Sequence, residues 1–196
     1  MLLGYVGWQY LGTNWVSHRT QADIVDKLHE SWSQGQPSVH VDQGDSQAIV
    51  TIPRFGDDYE VPVIEGTSDD ALAAGIGHFE GTAAAGQVGN FALAGHRVTH
   101  GQPLADMTEL EVGDTVVVET ADSVYTYTLV TGGDDLRVSF TDGWVIDPLP
   151  TNPDPGGVQP PQTPGGRLLT LTTCAELFHT DDRLVAFGVL SSTRSR

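Results

Sequence analysis

Thr115-Val116-Val117-Val118-Glu119-Thr120-Ala121-Asp122-Ser123-Val124-Tyr125-Thr126-Tyr127-Thr128-Leu129 is the stretch on which the fold class turns. β-Branched and aromatic residues flank the turn-forming run Thr120-Ala121-Asp122-Ser123, and Tyr125, Tyr127 and Leu129 alternate with threonines. That is the period-two pattern of a hairpin with one face buried. Moving outward, the same period recurs at Ala48–Ile52, Tyr59–Ile64, Asn90–Gly95, Leu136–Phe140, Leu168–Thr173 and Leu184–Leu190. With 115–119 and 124–130 these make eight candidate strands, and helices between them are few. Ser68-Asp69-Asp70 starts a short helical turn over 71–75, and 103–110 can hold another. Many short strands and minor helices predict a mainly β fold, a closed or nearly closed eight-stranded antiparallel β-barrel.

Two segments stand apart from the strands. Residues 20–34 carry Ile24, Leu28 and Trp32 at four-residue spacing with Val25 alongside, a helical stripe that Thr20 can cap and Gly35 can end. Before it, residues 1–19 are apolar and uncharged as far as His18-Arg19. The run is shorter than the roughly 20 residues a membrane-spanning helix needs. It also lacks the basic start and cleavage site of a signal peptide. Trp8, Tyr10 and Trp15 resemble an interfacial aromatic belt. Two readings stay open: the outer end of a membrane anchor, or an amphipathic helix docked on the domain. The expected organisation is an N-terminal segment or anchor end over 1–19, a helix and linker over 20–47, and a β-barrel domain over 48–196. Residues 147–166 contain Pro148, Pro150, Pro153, Pro155, Pro160, Pro161 and Pro164 and cannot hold a strand ladder. A long structureless loop of this kind, directly before a strand, is read either as a substrate-binding wall or as a surface insertion.

Composition narrows the function. Twenty-six acidic residues against nine Lys plus Arg give a net charge of −17 over 196 residues. Such a field repels phosphate backbones and argues against nucleic acid as a partner. It serves solubility or steers a cationic amine. The single cysteine, Cys174, excludes an internal disulfide and a cysteine-rich zinc site. Asp106, Glu109, Glu111 and Asp114 fall in one loop and have the ligand chemistry of a Ca²⁺ site, though a solvated acidic loop is expected in so acidic a chain. No cofactor and no metal is called for.

Three features carry chemistry. Leu169-Thr170-Leu171-Thr172-Thr173-Cys174 is a strand ending on the cysteine, which places a thiol at a barrel rim, where a thiolate can reach a carbonyl carbon. Leu93-Ala94-Gly95-His96-Arg97 is a second strand that runs into a histidine, the residue type suited to protonating a leaving amine. Among seven histidines, His18, His29 and His40 precede the barrel, and His78, His100 and His179 lie in loops. Arg183 opens the strand 184–190, nine positions after Cys174. If those two strands pair antiparallel, both residues share a rim, and the guanidinium can bind a carbonyl and its developing oxyanion. The bland alternative for Arg183 is a surface ion pair with Asp181, Asp182 or Glu176.

Thr170-Leu171-Thr172-Thr173-Cys174 followed by Arg183 resembles the signature of the sortase family, and residues 86–97, Gly86 to Arg97, are similar to its histidine segment. The likeness extends through Ile52-Pro53, Val61-Pro62-Val63, Gly75-Ile76-Gly77-His78 and Leu110-Glu111-Val112-Gly113-Asp114, about residues 48–190 in all. Ala94 to Leu104 resembles class E sortases of actinobacteria more than class D; Glu176 departs from the proline common there. The resemblance implies a sortase-type β-barrel and a membrane-tethered enzyme whose catalytic domain faces outside the cell. It implies a cysteine transpeptidase with Cys174, His96 and Arg183 as catalytic residues, and substrate contacts from Thr172, Thr173, Leu93, Ala94, His78 and His100. Its implied partners are secreted proteins bearing LAXTG-type (or LPXTG-type) sorting signals, cut between Thr and Gly, and an amine of a lipid II-type cell-wall precursor. The competing readings are an L,D-transpeptidase-like peptidoglycan enzyme and a non-catalytic surface β-barrel binding module.

Overall fold

The computed structural model describes residues 2–98, 100–174 and 181–196, with side chains from Val16 onward apart from that of Cys174. Expectations placed on the Trp8, Tyr10 and Trp15 side chains, the Cys174 thiol, Glu176 and His179 lie outside the described residues.

The chain runs α1 (Leu2–Ser33), β1 (Val39–Val41), β2 (Gly44–Thr51), β3 (Val61–Glu65), α2 (Asp69–Ala74), β4 (Ile76–His78), β5 (Gly89–Ala94), β6 (Thr115–Thr120), β7 (Ser123–Leu129), β8 (Leu136–Ser139), β9 (Arg167–Cys174) and β10 (Asp182–Ser195). Short 3₁₀ turns at Pro53–Phe55, Met107–Glu109 and Gly143–Ile146 punctuate the loops. Eight strands close a ring in the order β2-β3-β4-β5-β9-β10-β7-β6, with β6 returning to β2. Strand β1 pairs outside the ring on β2, and β8 pairs on β10.

The ring has eight strands, as the sequence suggests, but with a different membership. Residues 136–140 were expected as a barrel strand; β8 instead borders the first half of β10, through Asp182–Val185, and β7 takes over the same edge from Gly188 onward. The missing ring member is β4, three residues long and too short to show any period. Gly77 at its centre is required by close packing, because a Cβ there would lie 2.5 Å from the Gly66 carbonyl oxygen. The sheet is also mixed rather than antiparallel: β3–β4 and β5–β9 are parallel. The connection 66–75, which holds α2, and the connection 95–166, which holds β6, β7 and β8, carry the crossovers that parallel pairs need.

Alternating residues fill the interior. Ala48 and Val50 of β2 with Ile52 just beyond it, Val116 and Val118 of β6, Tyr127 and Leu129 of β7, Leu169 and Leu171 of β9, and Leu184 and Ala186 of β10 share one core with Leu93, Leu104 and Met107. The opposite faces are covered separately. Ile24, Val25, Leu28 and Trp32 of α1 pack on Ile49 and Ile64 from β2 and β3. Outward-facing Val185 and Phe187 pack under Val138 and Val145. Burial of a side chain such as Leu28 is worth about 1.5–3 kcal/mol.

Helix α1 ends as its sequence predicts: Gly35 N–H donates to Trp32 O and Gln36 N–H to Ser31 O, a Schellman closure. Its start differs. Thr20 is not a cap but an interior residue of one helix from Leu2, because no proline interrupts residues 1–19. Among the described residues no helix is long and apolar enough to cross a membrane.

Candidate active site

Parallel pairing of β5 with β9 brings the two sequence motifs together. Register sets Ala94 beside Thr172, so both strands run out at the same rim, and His96 and Cys174 each follow two residues later. Gly95 N–H donates to Thr172 O at 3.1 Å. Thr173 Oγ1 donates to Gly95 O at 2.7 Å in a buried bond. The residue before the cysteine is thereby fixed to the residue before the histidine. On the other side of β9, antiparallel β10 sets Arg183 directly opposite Cys174. The Arg183 guanidinium donates from Nη1 to Asp182 O at 3.0 Å.

These strand ends open into a cleft of about 550 Å³. His96, Arg97 and Val98 line one side, Thr172, Thr173, Ala94 and Arg183 the floor, and Val138, Phe140, Val145 and Ile146 an apolar wall, with Leu72 and Phe79 completing the rim. The His96 ring is half-buried there. Burial holds its proton affinity below the ordinary histidine value, and the neighbouring His100 adds to this; Asp69 of α2 acts in the opposite direction. The cleft thus combines polar and apolar lining residues.

A buried network that sequence reading did not single out holds the wall in place. Asn90 Nδ2 donates to Val145 O and Asp147 O, both at 3.1 Å. The Thr170 hydroxyl lies 2.9 Å from Asn90 Oδ1 and 3.0 Å from Val145 O. Asn90 and Thr170 tie β5 and β9 to the 3₁₀ turn 143–146. The signal available was a polar Asn90 in an otherwise apolar β5, whereas Thr170 is one of three threonines in β9.

Several expected substrate contacts are placed elsewhere. Leu93 is fully buried in the barrel core and does not line the cleft, because its register position points it inward with Leu169 and Leu171. His78 lines a different cavity, with Pro37, Glu65, Ala84 and Asp122. Its Nδ1 bonds Glu65 Oε2 at 2.8 Å, and its Nε2 lies 3.1 Å from Ala83 O and 3.0 Å from Thr82 Oγ1. His100 does not line the cleft either; its ring stacks on His96 with centroids 4.9 Å apart. The proline-rich loop is likewise no wall of this cleft: the lining stops at Ile146. Residues 147–166 are folded on themselves. Asn152 Nδ2 donates to Val158 O and Gln162 Nε2 to Pro150 O.

Among the described residues no group of three or more His, Cys, Asp or Glu converges as a metal site. Within the acidic loop, Arg54 occupies the carboxylates instead: its Nε and Nη2 donate to Asp114 at 2.8 Å each, and Nη2 also to Glu111 at 3.1 Å. Those bonds hold the Asp114 carboxyl below the usual range.

Comparison with known proteins places this geometry. The Sortase domain family model matches residues 50–191. Sortase SrtE1 of Streptomyces coelicolor is 34% identical over 205 residues, covering all of this chain and 55% of that protein, so the chain spans about half the length of this relative. The structure of sortase E from Streptomyces avermitilis superposes with a TM-score of 0.64 at 40% identity, over 76% of this chain and 89% of that one. Sortase E1 from Streptomyces coelicolor, solved with a tripeptide in its active site, gives a TM-score of 0.66 at 32% identity, over 81% and 94% of the two chains.

Proposed function

The chain belongs to the sortase family, and from that premise we propose that it is a cysteine transpeptidase that anchors secreted proteins to the cell surface. The observation that carries this reading is the meeting of three strand ends at one cleft, with His96 and Arg183 lining it and Cys174 opposite Arg183. A relative with a tripeptide in its active site supports a peptide as the substrate.

The proposed reaction runs in two halves. The Cys174 thiolate attacks the threonine carbonyl of a LAXTG-type sorting signal, forming the C–S bond while the carbonyl π pair moves onto oxygen. Arg183 donates to that oxyanion and to the substrate backbone. Collapse of the intermediate breaks the Thr–Gly C–N bond, and the His96 imidazolium gives its proton to the leaving glycine amine. An amine of a lipid II-type cell-wall precursor then attacks the thioester, His96 takes the amine proton, and the Cys174 thiolate departs. Thr172, Thr173 and Ala94 form the floor on which the peptide backbone lies. The enzyme acts outside the cell, held to the membrane through the N-terminal side of α1.

The test is transfer of a Leu-Ala-X-Thr-Gly peptide to a glycine or diamino acceptor. Cys174→Ala is expected to abolish transfer, and Arg183→Ala to lower kcat/KM by about 10²–10³-fold. Transfer by Cys174→Ala at the parent rate would remove the cysteine from the mechanism. Labelling of Cys174 by an activity-based thiol probe separates this reading from a binding module, whose buried thiol would stay unmodified.

A further inference from the structure

The loop between His96 and Leu104 is bent in a way found nowhere else among the described residues. Among the described residues the only non-glycine ones with positive φ are His100 (55°) and Gln102 (48°), and Gly101 between them has φ 78°. Three consecutive left-handed residues form a turn that persists only where its surroundings hold it. Those surroundings are specific. Leu104 N–H closes the loop onto His96 O at 3.0 Å, with the Leu104 side chain fully buried in the barrel core. Gln102 Nε2 donates to Val98 O at 2.6 Å. The third support comes from outside the barrel: Gln21 of α1 is buried, and its Nε2 donates to His100 O at 3.4 Å. A Cβ at Gly101 would stand 2.7 Å from Gln21 Nε2, so helix and turn are in tight contact. The product of this arrangement is the placement of one ring: His100 lies against His96 with centroids 4.9 Å apart and planes inclined by 32°.

We propose that His100 is a positioning residue for His96, and that helix α1, through Gln21, holds it in place. The inference rests on His96 being the proton donor of the proposed reaction and adds to it a route from the N-terminal helix to the active site. A flat ring packed on the imidazole restricts the rotamers from which His96 can meet a leaving amine. His100 also places a second titratable group beside it. Among the described residues, the other charged groups at this cleft are Asp69 from α2, the chain neighbour Arg97, Arg183 and Asp142. Asp69 favours the imidazolium and His100 disfavours it.

Ring-nitrogen NMR titration of the full chain, paired with kcat and KM for peptide transfer, tests this in His100→Phe, His100→Ala and Gln21→Ala. His100→Phe keeps a stacked ring without its charge; the His96 midpoint should rise, with kcat within about twofold of the parent at its own optimum. His100→Ala loses the stack as well, and kcat should fall about tenfold with KM nearly unchanged. Gln21→Ala, remote from the cleft, should shift the His96 and His100 ring signals and lower kcat by about threefold or more. An unchanged His96 titration in His100→Phe, together with parent kcat in Gln21→Ala at native Tm, would overturn the proposal. Should His100→Ala fail to fold, the other two variants decide. Transfer by His96→Ala at the parent rate would instead refute the proposed role of His96, and the titration shifts would be judged separately.

Discussion

The barrel presents two histidines in nearly the same local setting, His78 after Gly77 at the end of β4 and His96 after Gly95 just beyond β5, and treats them in opposite ways. His78 is buried with both ring nitrogens engaged by Glu65, Thr82 and Ala83, and its ring packs on Phe91 at 5.0 Å. All of its bonding capacity goes into holding β3, β4 and the turn that follows. His96 stands at the rim of a 550 Å³ cleft beside the strand ends that carry Thr173 and Arg183. Its ring packs at a tilt against that of His100, with centroids 4.9 Å apart. A histidine with both nitrogens bonded is a structural part; one that lines a cavity can exchange protons.

The sharpest way to break this contrast is to remove each ring in turn. His96→Ala should lower kcat/KM by about 10²–10⁴-fold while leaving Tm near the parent value. His78→Ala should do the reverse, costing about 2–4 kcal/mol in urea unfolding with kcat little changed. If His78→Ala removed activity at unchanged stability, the two assignments would have to be exchanged.

Next in size is the link between the two strand ends. Thr173→Val keeps the shape and deletes the donor to Gly95 O. The buried carbonyl left unpaired should cost about 1–3 kcal/mol of stability. The displaced β5–β9 rim should cost about tenfold in kcat. Parent values of both would show that the hydrogen bond does not position the rim.

The pH dependence sharpens the same comparison. With burial and His100 lowering its affinity, the limb of the acylation profile due to His96 should lie below pH 6.5. The imidazolium is then lost, and acylation slows, as pH rises through that limb. Asp69 raises the affinity, so Asp69→Asn should move the limb to still lower pH. A shift to higher pH would contradict the electrostatic account of the cleft.

The smallest effect belongs to the acidic loop. Arg54 is partly exposed and Glu111 open to solvent, so Arg54→Ala should move the urea-unfolding midpoint least of these variants. Asp114 has a lowered carboxyl affinity, so its contribution is present above the ordinary carboxylate range and fades as pH falls through it. Chelator should leave transfer unchanged; loss of activity on chelation would return the loop to consideration as a Ca²⁺ site.

What the sequence disclosed follows from how local each signal is. Strands β6 and β7 declare themselves through Val116, Val118, Tyr127 and Leu129, because alternation is written into consecutive residues. Strand β4 does not, since three residues have no period, and the barrel's eighth member was therefore sought in β8. The pairing of β5 with β9 is a contact between residues about 78 apart, and neither strand states whether its neighbour runs parallel. The pairing of Cys174 with Arg183 was legible because they lie nine positions apart and neighbouring strands in sequence tend to pair antiparallel. His78 and His96 were not separable by local pattern, each following a glycine at a strand end; family resemblance chose between them. The left-handed turn at 100–102 was invisible because one of the contacts around it comes from Gln21, 79 positions earlier.

The most direct measurement is intact-protein mass spectrometry of the enzyme mixed with a LAXTG-type peptide in the absence of acceptor amine. The account predicts an adduct equal to the peptide up to and including its threonine, mapped to Cys174, discharged by added amine and absent in Cys174→Ala. An adduct that survives in Cys174→Ala, or a parent enzyme that transfers peptide without ever carrying one, would contradict it.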